Sequence, residues 1–142
     1  GEKQRAVAQA ALLAGAEGVG EVRHRHLEGG AHAHGDESGE RDHAIMNIVT
    51  SSCGNAGQKC SACSLLLVER SIYEDPNFQD KLKDATTSLK VGSVWDSGNM
   101  VGPMITNKNE KLLEALQLEP GESWLVPPRF LDKNKYILAP TV

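Results

Sequence analysis

All six aromatic side chains (Tyr73, Phe78, Trp95, Trp124, Phe130 and Tyr136) lie beyond residue 72, while eight of the fourteen glycines fall before residue 43. A packed core needs large apolar side chains and a backbone that can be ordered at tolerable entropy, so only the chain beyond about Arg41 is equipped to build one. With 142 residues in all, that leaves one modest domain or part of a larger one, and not two full cores.

The first 40 residues read differently. EKQRAVAQAALLAGAEG has strong helix propensity and is stopped by Gly18 and Gly20, but it offers mostly alanine methyls for packing. EVRHRHLEGGAHAHGDESGER, residues 21–41, mixes glycines, histidines and acids without a periodic apolar face, which predicts a loop. Lys3 and Arg5 precede an alanine-rich run as they would in an export signal, but Gln9 interrupts it and alanine supplies little apolar drive, so export is not expected.

The later segments carry orderly signals. Ala44, Ile45, Ile48 and Val49 recur at helical spacing behind Asp42 as cap, and Gly54 should end that helix. SLLLVER, 64–70, reads as a buried strand. DPNFQDKLKDATTSLK has Asp75 as cap, Pro76 at the first helical position, and Phe78, Leu82, Ala85 and Leu89 on one face. Residues 107–118 repeat the pattern with Leu112, Leu113 and Leu116 inward, and ESWLVPP and KYILAP look like short strands closed by prolines. Helices alternating with strands predict an α/β layer architecture. Trp95 and Trp124 are expected to anchor packing, and Gly102-Pro103 marks a turn.

Charge and cysteine content narrow the function. A formal charge of -4 with both signs interspersed provides no basic stripe for nucleic acid and no polybasic segment for anionic lipid. No run approaches the roughly 20 apolar residues of a membrane-spanning helix. Cys53, Cys60 and Cys63 are an odd set without a dense disulfide framework, which fits free thiols in a reducing compartment such as the cytoplasm, or the mitochondrial matrix in a eukaryote.

Chemistry concentrates in NAGQKCSAC, residues 55–63, where two cysteines sit within four positions behind a Gly-Gln turn. The stretch can be a metal clip, a dithiol pair, or a loop that presents one reactive thiol. A thiol attacks only as thiolate, and backbone amides or a cation such as Lys59 favour that form, although a solvated Lys59 is the ordinary reading. Gly54 and Gly57 allow the loop to turn tightly. Cys63 completes a C-x-x-C, yet zinc needs a second ligand pair, so a structural thiol is the simpler reading. His24, His26, His32 and His34 form two H-x-H pairs and, with Cys53, offer a metal-binding alternative; incidental solvated histidines are the simpler account.

GQKCSA resembles the active-site cysteine motif of the aldehyde dehydrogenase superfamily, G-Q-x-C followed by small residues, at Gly57, Gln58, Cys60, Ser61 and Ala62. The resemblance extends in order over residues 40–142, through RDHAIMNIVTSSCGNAGQKCSACSLLLVER, LKVGSVWDSGNMVGPMI and LEPGESWLVPPR, and within the superfamily it is to L-glutamate γ-semialdehyde (pyrroline-carboxylate) dehydrogenases. It implies an open, mostly parallel sheet flanked by helices over residues 41–142, a partial catalytic domain behind a non-family segment 1–40. It also implies oxidation of an aldehyde to an acid with NAD, or NADP, in a homo-oligomer that takes a small aldehyde, most readily glutamate γ-semialdehyde in proline breakdown.

In that chemistry Cys60 attacks the carbonyl to give a thiohemiacetal, hydride leaves to the nicotinamide, and water hydrolyses the thioester. The Cys60 amide would face the oxyanion, and Ser61 matches a position that helps hold the substrate carboxylate. The sequence also departs from the family. Cys53 stands where an aromatic residue is usual. The offset of a general-base glutamate, 34 residues before the nucleophile, lands on His26, with Glu28 two residues away. AHAHGDESGE replaces an apolar strand; permitted codons for HGDESGE read one base later spell Met-Val-Thr-Asn-Leu-Ala, so a reading-frame shift is one origin for the segment. The resemblance places the nucleotide-binding segment before residue 1 and a ribose-contacting glutamate after Val142, so the chain alone is expected to be inactive. A non-catalytic remnant with uncovered core faces is the rival reading.

Overall fold

The computed structural model describes residues 37–142, apart from 67, 108, 109 and 135, with side chains described from Arg41 onward. The readings that fall on residues 1–36, including the alanine-rich helix and the H-x-H pairs, lie outside the described residues. Among the described residues there are four α-helices: α1 (Glu37–Cys53), α2 (Arg70–Tyr73), α3 (Pro76–Thr87) and α4 (Glu110–Ala115).

The α3 helix follows its local signals. The Asp75 carboxylate accepts from the Asn77 amide at 2.9 Å, and Pro76 occupies the first turn, where its missing N–H costs nothing. Phe78 and Leu82 are buried and Ala85 and Leu89 partly so. Thr86 is also sealed in; its hydroxyl donates to the Leu82 carbonyl at 2.7 Å, which satisfies a polar group that the apolar pattern could not foresee.

The α1 helix ends before Gly54 as expected but already includes Glu37, so residues 37–41 are helical and not loop. Asp42 is therefore interior and caps nothing. Its carboxylate accepts from Lys81 Nζ at 2.7 Å, and Arg41 Nη1 donates to Asp75 Oδ2 at 2.6 Å, so two ion pairs join α1 to α3. Being still partly open to solvent, such pairs contribute about 1 kcal/mol or less each. Burial does more: Ile45, Val49, Cys53, Ala56, Phe78, Leu82, Val101, Val126 and Val142 form one core cluster.

The strand expectations fail among the described residues. Residues 64–66, 68 and 69 are irregular and at most half-buried, Arg70 already belongs to α2, and neither 122–128 nor 136–140 forms a strand. What pairing there is consists of two isolated bridges, Val91 with Val101 (parallel) and Phe130 with Leu138 (antiparallel). Val126 and Val142 exchange backbone hydrogen bonds of 2.8 and 3.0 Å, and the Ala139 and Leu131 amides donate to Arg129 and Ile137 carbonyls. A strand exists only when a neighbour accepts its backbone bonds, and these segments lack the long neighbours that a sheet requires.

The turn that reverses the chain between the paired segments is held by Asp132. Its carboxylate accepts from Ile137 N at 2.7 Å and Asn134 N at 3.1 Å, and these bonds, led by Ile137, lower its pKa. The helix expected over 107–118 is shorter, Glu110–Ala115. Leu112 is buried with Met104 and Leu138 in a second cluster and Leu116 packs against it, but Leu113 is exposed.

Trp95 does not anchor packing: it is 94% exposed. The 91–101 loop closes on itself instead, with Gly92 N donating to Val101 O, Asn99 Nδ2 to Ser93 O and Gly98 N to Asp96 Oδ1. Trp124 is half-buried and lines a cavity of about 200 Å³ of mixed character, with Leu66, Val68, Phe78 and Leu82 beside Gln79 and Ser123.

Candidate active site

The cysteine loop leaves α1 through a 3-10 turn at Gly54–Gly57. Asn55, Ala56 and Gly57 all have positive φ, at 55°, 54° and 67°. Gly57 meets this without a Cβ penalty and asparagine tolerates it, whereas Ala56 carries strain of about 1 kcal/mol. That strain is offset by burial, because Ala56 is 2% exposed in the core cluster. The backbone is thereby screwed out of the helix axis over three residues and delivers Gln58 to Cys60 to the surface.

Gln58 ties this loop to a distant segment. Its Oε1 accepts from Ile105 N at 2.7 Å, and its Nε2 faces the Pro103 carbonyl at 3.5 Å and the Asn55 carbonyl at 3.4 Å. No turn forms at Gly102-Pro103, where the sequence suggested one; residues 103–105 run irregularly and serve as the dock for the cysteine loop. From there Met104 N donates to Tyr136 O at 2.7 Å, which links the dock to the second cluster. Sequence reasoning had Gln58 as part of a motif but missed this tie; the signal was that G-Q-K-C and G-P-M-I belong to one resemblance.

Replacing Gln58 by alanine removes the acceptor of the Ile105 amide. One such bond is worth about 0.5–1.5 kcal/mol, so Ile105 amide exchange should accelerate by up to about tenfold while exchange in α3 stays unchanged. Gln58→Glu keeps an acceptor and should preserve protection at Ile105. Unaltered exchange at Ile105 in Gln58→Ala would show that the tie does not hold the loop.

Beyond Gln58, the chain makes a reverse turn over 59–62, with Ala62 N donating to Lys59 O at 2.9 Å. Cys60 and Ser61 occupy its two central positions, and both are exposed, as is Lys59. Among the described residues the Cys60 amide donates to no protein acceptor. The site residues Cys60 and Ser61 are therefore adjacent at a turn tip, with a thiol and a backbone N–H both available to a ligand.

The other thiols sit elsewhere. Cys53 is 4% exposed, and burial pushes its thiol above the ordinary value, partly offset by the Ser52 hydroxyl at 3.6 Å. It fills the core where the resemblance places an aromatic ring. Cys63 is half-buried, with Sγ 3.5 Å from the Leu65 carbonyl and its amide on Ser51 O at 3.3 Å. Among the described residues no group of three or more histidine, cysteine or acidic side chains is placed to hold a metal. No described helix is long and apolar enough to cross a membrane.

The model of the aldehyde dehydrogenase family matches residues 12–142. The chain is 30% identical over 102 residues to a malonate-semialdehyde dehydrogenase of Listeria innocua, covering 69% of this chain and 20% of that protein. It is 32% identical over 109 residues to a 1-pyrroline-5-carboxylate dehydrogenase of Staphylococcus haemolyticus, covering 75% and 21%. Among solved structures it superimposes on Proline Utilization A from Corynebacterium freiburgense with a TM-score of 0.64 and 38% identity, over 72% of this chain and 10% of that one. The chain spans about a fifth of the length of the curated relatives it matches. With nearly its whole length matched, the chain belongs to the aldehyde dehydrogenase family.

Proposed function

We propose that this chain is the nucleophile-bearing part of a catalytic domain that oxidises a carboxylate-bearing aldehyde to an acid, with L-glutamate γ-semialdehyde as substrate in proline breakdown. The observation that carries the reading is the exposed Cys60 thiol beside its own N–H, which has no acceptor among the described residues, at the tip of a tethered turn. As thiolate, Cys60 adds to the carbonyl carbon; the C–S bond forms as the C=O π pair moves to oxygen, and the Cys60 amide is available to donate to that alkoxide. Ser61, next on the same turn, supplies a hydroxyl for the substrate carboxylate. The names of the relatives support this class, since malonate semialdehyde and pyrroline-5-carboxylate both carry a carboxylate.

Aldehyde dehydrogenases use NAD or NADP as hydride acceptor, and NAD is the acceptor proposed for the whole protein. The cavity beside α3 does not fit it. The cavity of about 200 Å³ is lined without a glycine or a cation, and Cys60 is not among its walls. A dinucleotide needs amides or cations on its phosphates and more room than that. Within the same proposal, residues 41–142 form part of an α/β domain whose segments 64–70, 122–128 and 135–140 become strands beside neighbours from a longer protein. Assembly as a homo-oligomer in the cytoplasm, or in the mitochondrial matrix of a eukaryote, belongs to it too. Residues 1–40 are proposed to owe their departure from that domain to a reading-frame shift, although the family match already begins at residue 12. Sequencing the encoding DNA tests that origin: an apolar strand in the shifted frame supports it, and a shifted frame with none removes it.

Iodoacetamide labelling followed by mass mapping tests the site. Glutamate γ-semialdehyde should slow labelling of Cys60 more than propionaldehyde does, and Ser61→Ala should erase that difference, with no NADH formed by the chain alone. No protection by either aldehyde would sink the nucleophile assignment, and equal protection by both would remove the carboxylate contact.

A further inference from the structure

The turn that presents Cys60 has little packing of its own. Lys59, Cys60 and Ser61 are exposed, and the turn closes through the 2.9 Å bond from Ala62 N to Lys59 O. At its far end the Cys63 amide reaches Ser51 O at 3.3 Å, which fastens that end to α1. At its near end the backbone leaves α1 through the left-handed residues 55–57, and the side chain that fixes its direction there is Gln58. Gln58 meets two backbone groups of one segment, Ile105 N at 2.7 Å and, at a longer 3.5 Å, Pro103 O. Those groups lie one residue either side of Met104, whose own amide donates instead to Tyr136 O at 2.7 Å. Met104 is also the one buried side chain of 103–105. Pro103 is half-buried and Ile105 is 75% exposed, whereas Met104 is 6% exposed and packs with Leu112 and Leu138 in the second cluster. Three residues earlier Val101 is buried in the first cluster, with Cys53 and Ala56. The segment that docks Gln58 is therefore strung between the two clusters, and Met104 pins its second-cluster end.

From this arrangement we infer that Met104 is a positioning residue for Cys60, acting through the 103–105 backbone and Gln58. The inference rests on Cys60 being the nucleophile proposed above. Addition to a carbonyl asks that the sulfur reach the carbon while the Cys60 N–H faces the forming alkoxide, so the direction of the turn matters to it. Alkylation by iodoacetamide asks only that the thiol be reachable. Loosening the dock therefore weakens aldehyde addition and leaves plain alkylation of Cys60 as it was, which separates positioning from any change in the thiol itself. Leucine has a volume close to that of methionine and can fill the same place in the second cluster, so it should keep the segment pinned.

The test measures, in the native chain, the glutamate γ-semialdehyde concentration that halves iodoacetamide labelling of Cys60. Met104→Ala should raise it about two- to tenfold, the range that one lost hydrogen bond spans. Labelling without aldehyde should stay as in the parent chain, with Cys53 still slow to react. Met104→Leu should return the parent value. Gln58→Ala removes the relay itself and should give a rise like that of Met104→Ala. Adding Met104→Ala to Gln58→Ala should raise the concentration no further, since both substitutions cut one path. Parent-like protection in Met104→Ala or in Gln58→Ala would overturn the proposal, as would effects of the two that multiply. Should Met104→Ala unfold, seen as Cys53 labelling as fast as Cys60, Met104→Val is the smaller truncation that takes its place with the same expected rise. The two readings fail separately. No protection of Cys60 in the parent chain sinks the nucleophile and this inference with it; protection that the Met104 variants leave intact sinks the positioning alone.

Discussion

Phe78→Ala lowers the unfolding free energy by about 3–5 kcal/mol, read as a fall in the urea midpoint with the slope unchanged. The ring is 6% exposed in the cluster that joins α1, α3 and the C-terminal segments, so its loss removes contacts to three parts of the chain at once. It also lines the cavity of about 200 Å³, so truncation enlarges a void that already exists and that the neighbours have not collapsed to fill. Against a total domain stability of about 5–15 kcal/mol that is a large share. Leu113→Ala is the control: the side chain is 41% exposed and should change stability by about 0.5 kcal/mol or less. A change below about 1 kcal/mol for Phe78→Ala would mean that α3 does not pack as described.

Phe78 was identifiable from sequence because everything that specifies α3 is local. Asp75 and Pro76 start the helix, the apolar residues recur at its period, and their burial follows. The start of α1 was misplaced because Asp42 has the chemistry of a cap but spends its carboxylate on Lys81, 39 residues away. The strands are not formed among the described residues for a related reason: an apolar run marks a segment fit for a sheet, while only neighbours make it one. Trp95 shows the same limit, since an aromatic residue is on average buried, but a loop closed by its own hydrogen bonds can hold one outward. At the site, the motif around Cys60 was legible as a string. The Gln58 tie to Ile105 spans 47 residues and is set by how two loops meet, which no spacing within the motif encodes.

The larger effect concerns which thiol reacts. Iodoacetamide at neutral pH should label Cys60 at least about 100-fold faster than Cys53, because labelling a sealed thiol waits on an opening that costs about 3 kcal/mol. Cys53 is 4% exposed, and burial raises its pKa, so the folded chain holds it as the neutral thiol. The sign of the pH effect follows. A group whose folded pKa is raised stabilises the fold fully below its unfolded pKa, and that contribution is lost as pH rises through the folded value. Alkaline pH therefore eases opening around Cys53 as well as ionising it, and its labelling should climb faster with pH than opening alone would give. In urea beyond the unfolding midpoint the two positions should label at comparable rates, since the difference comes from the fold and not from the thiols themselves. Comparable rates in the folded chain at neutral pH would mean that the left-handed exit through Asn55, Ala56 and Gly57 does not set Cys60 apart, and the case for a presented nucleophile would lose its physical basis.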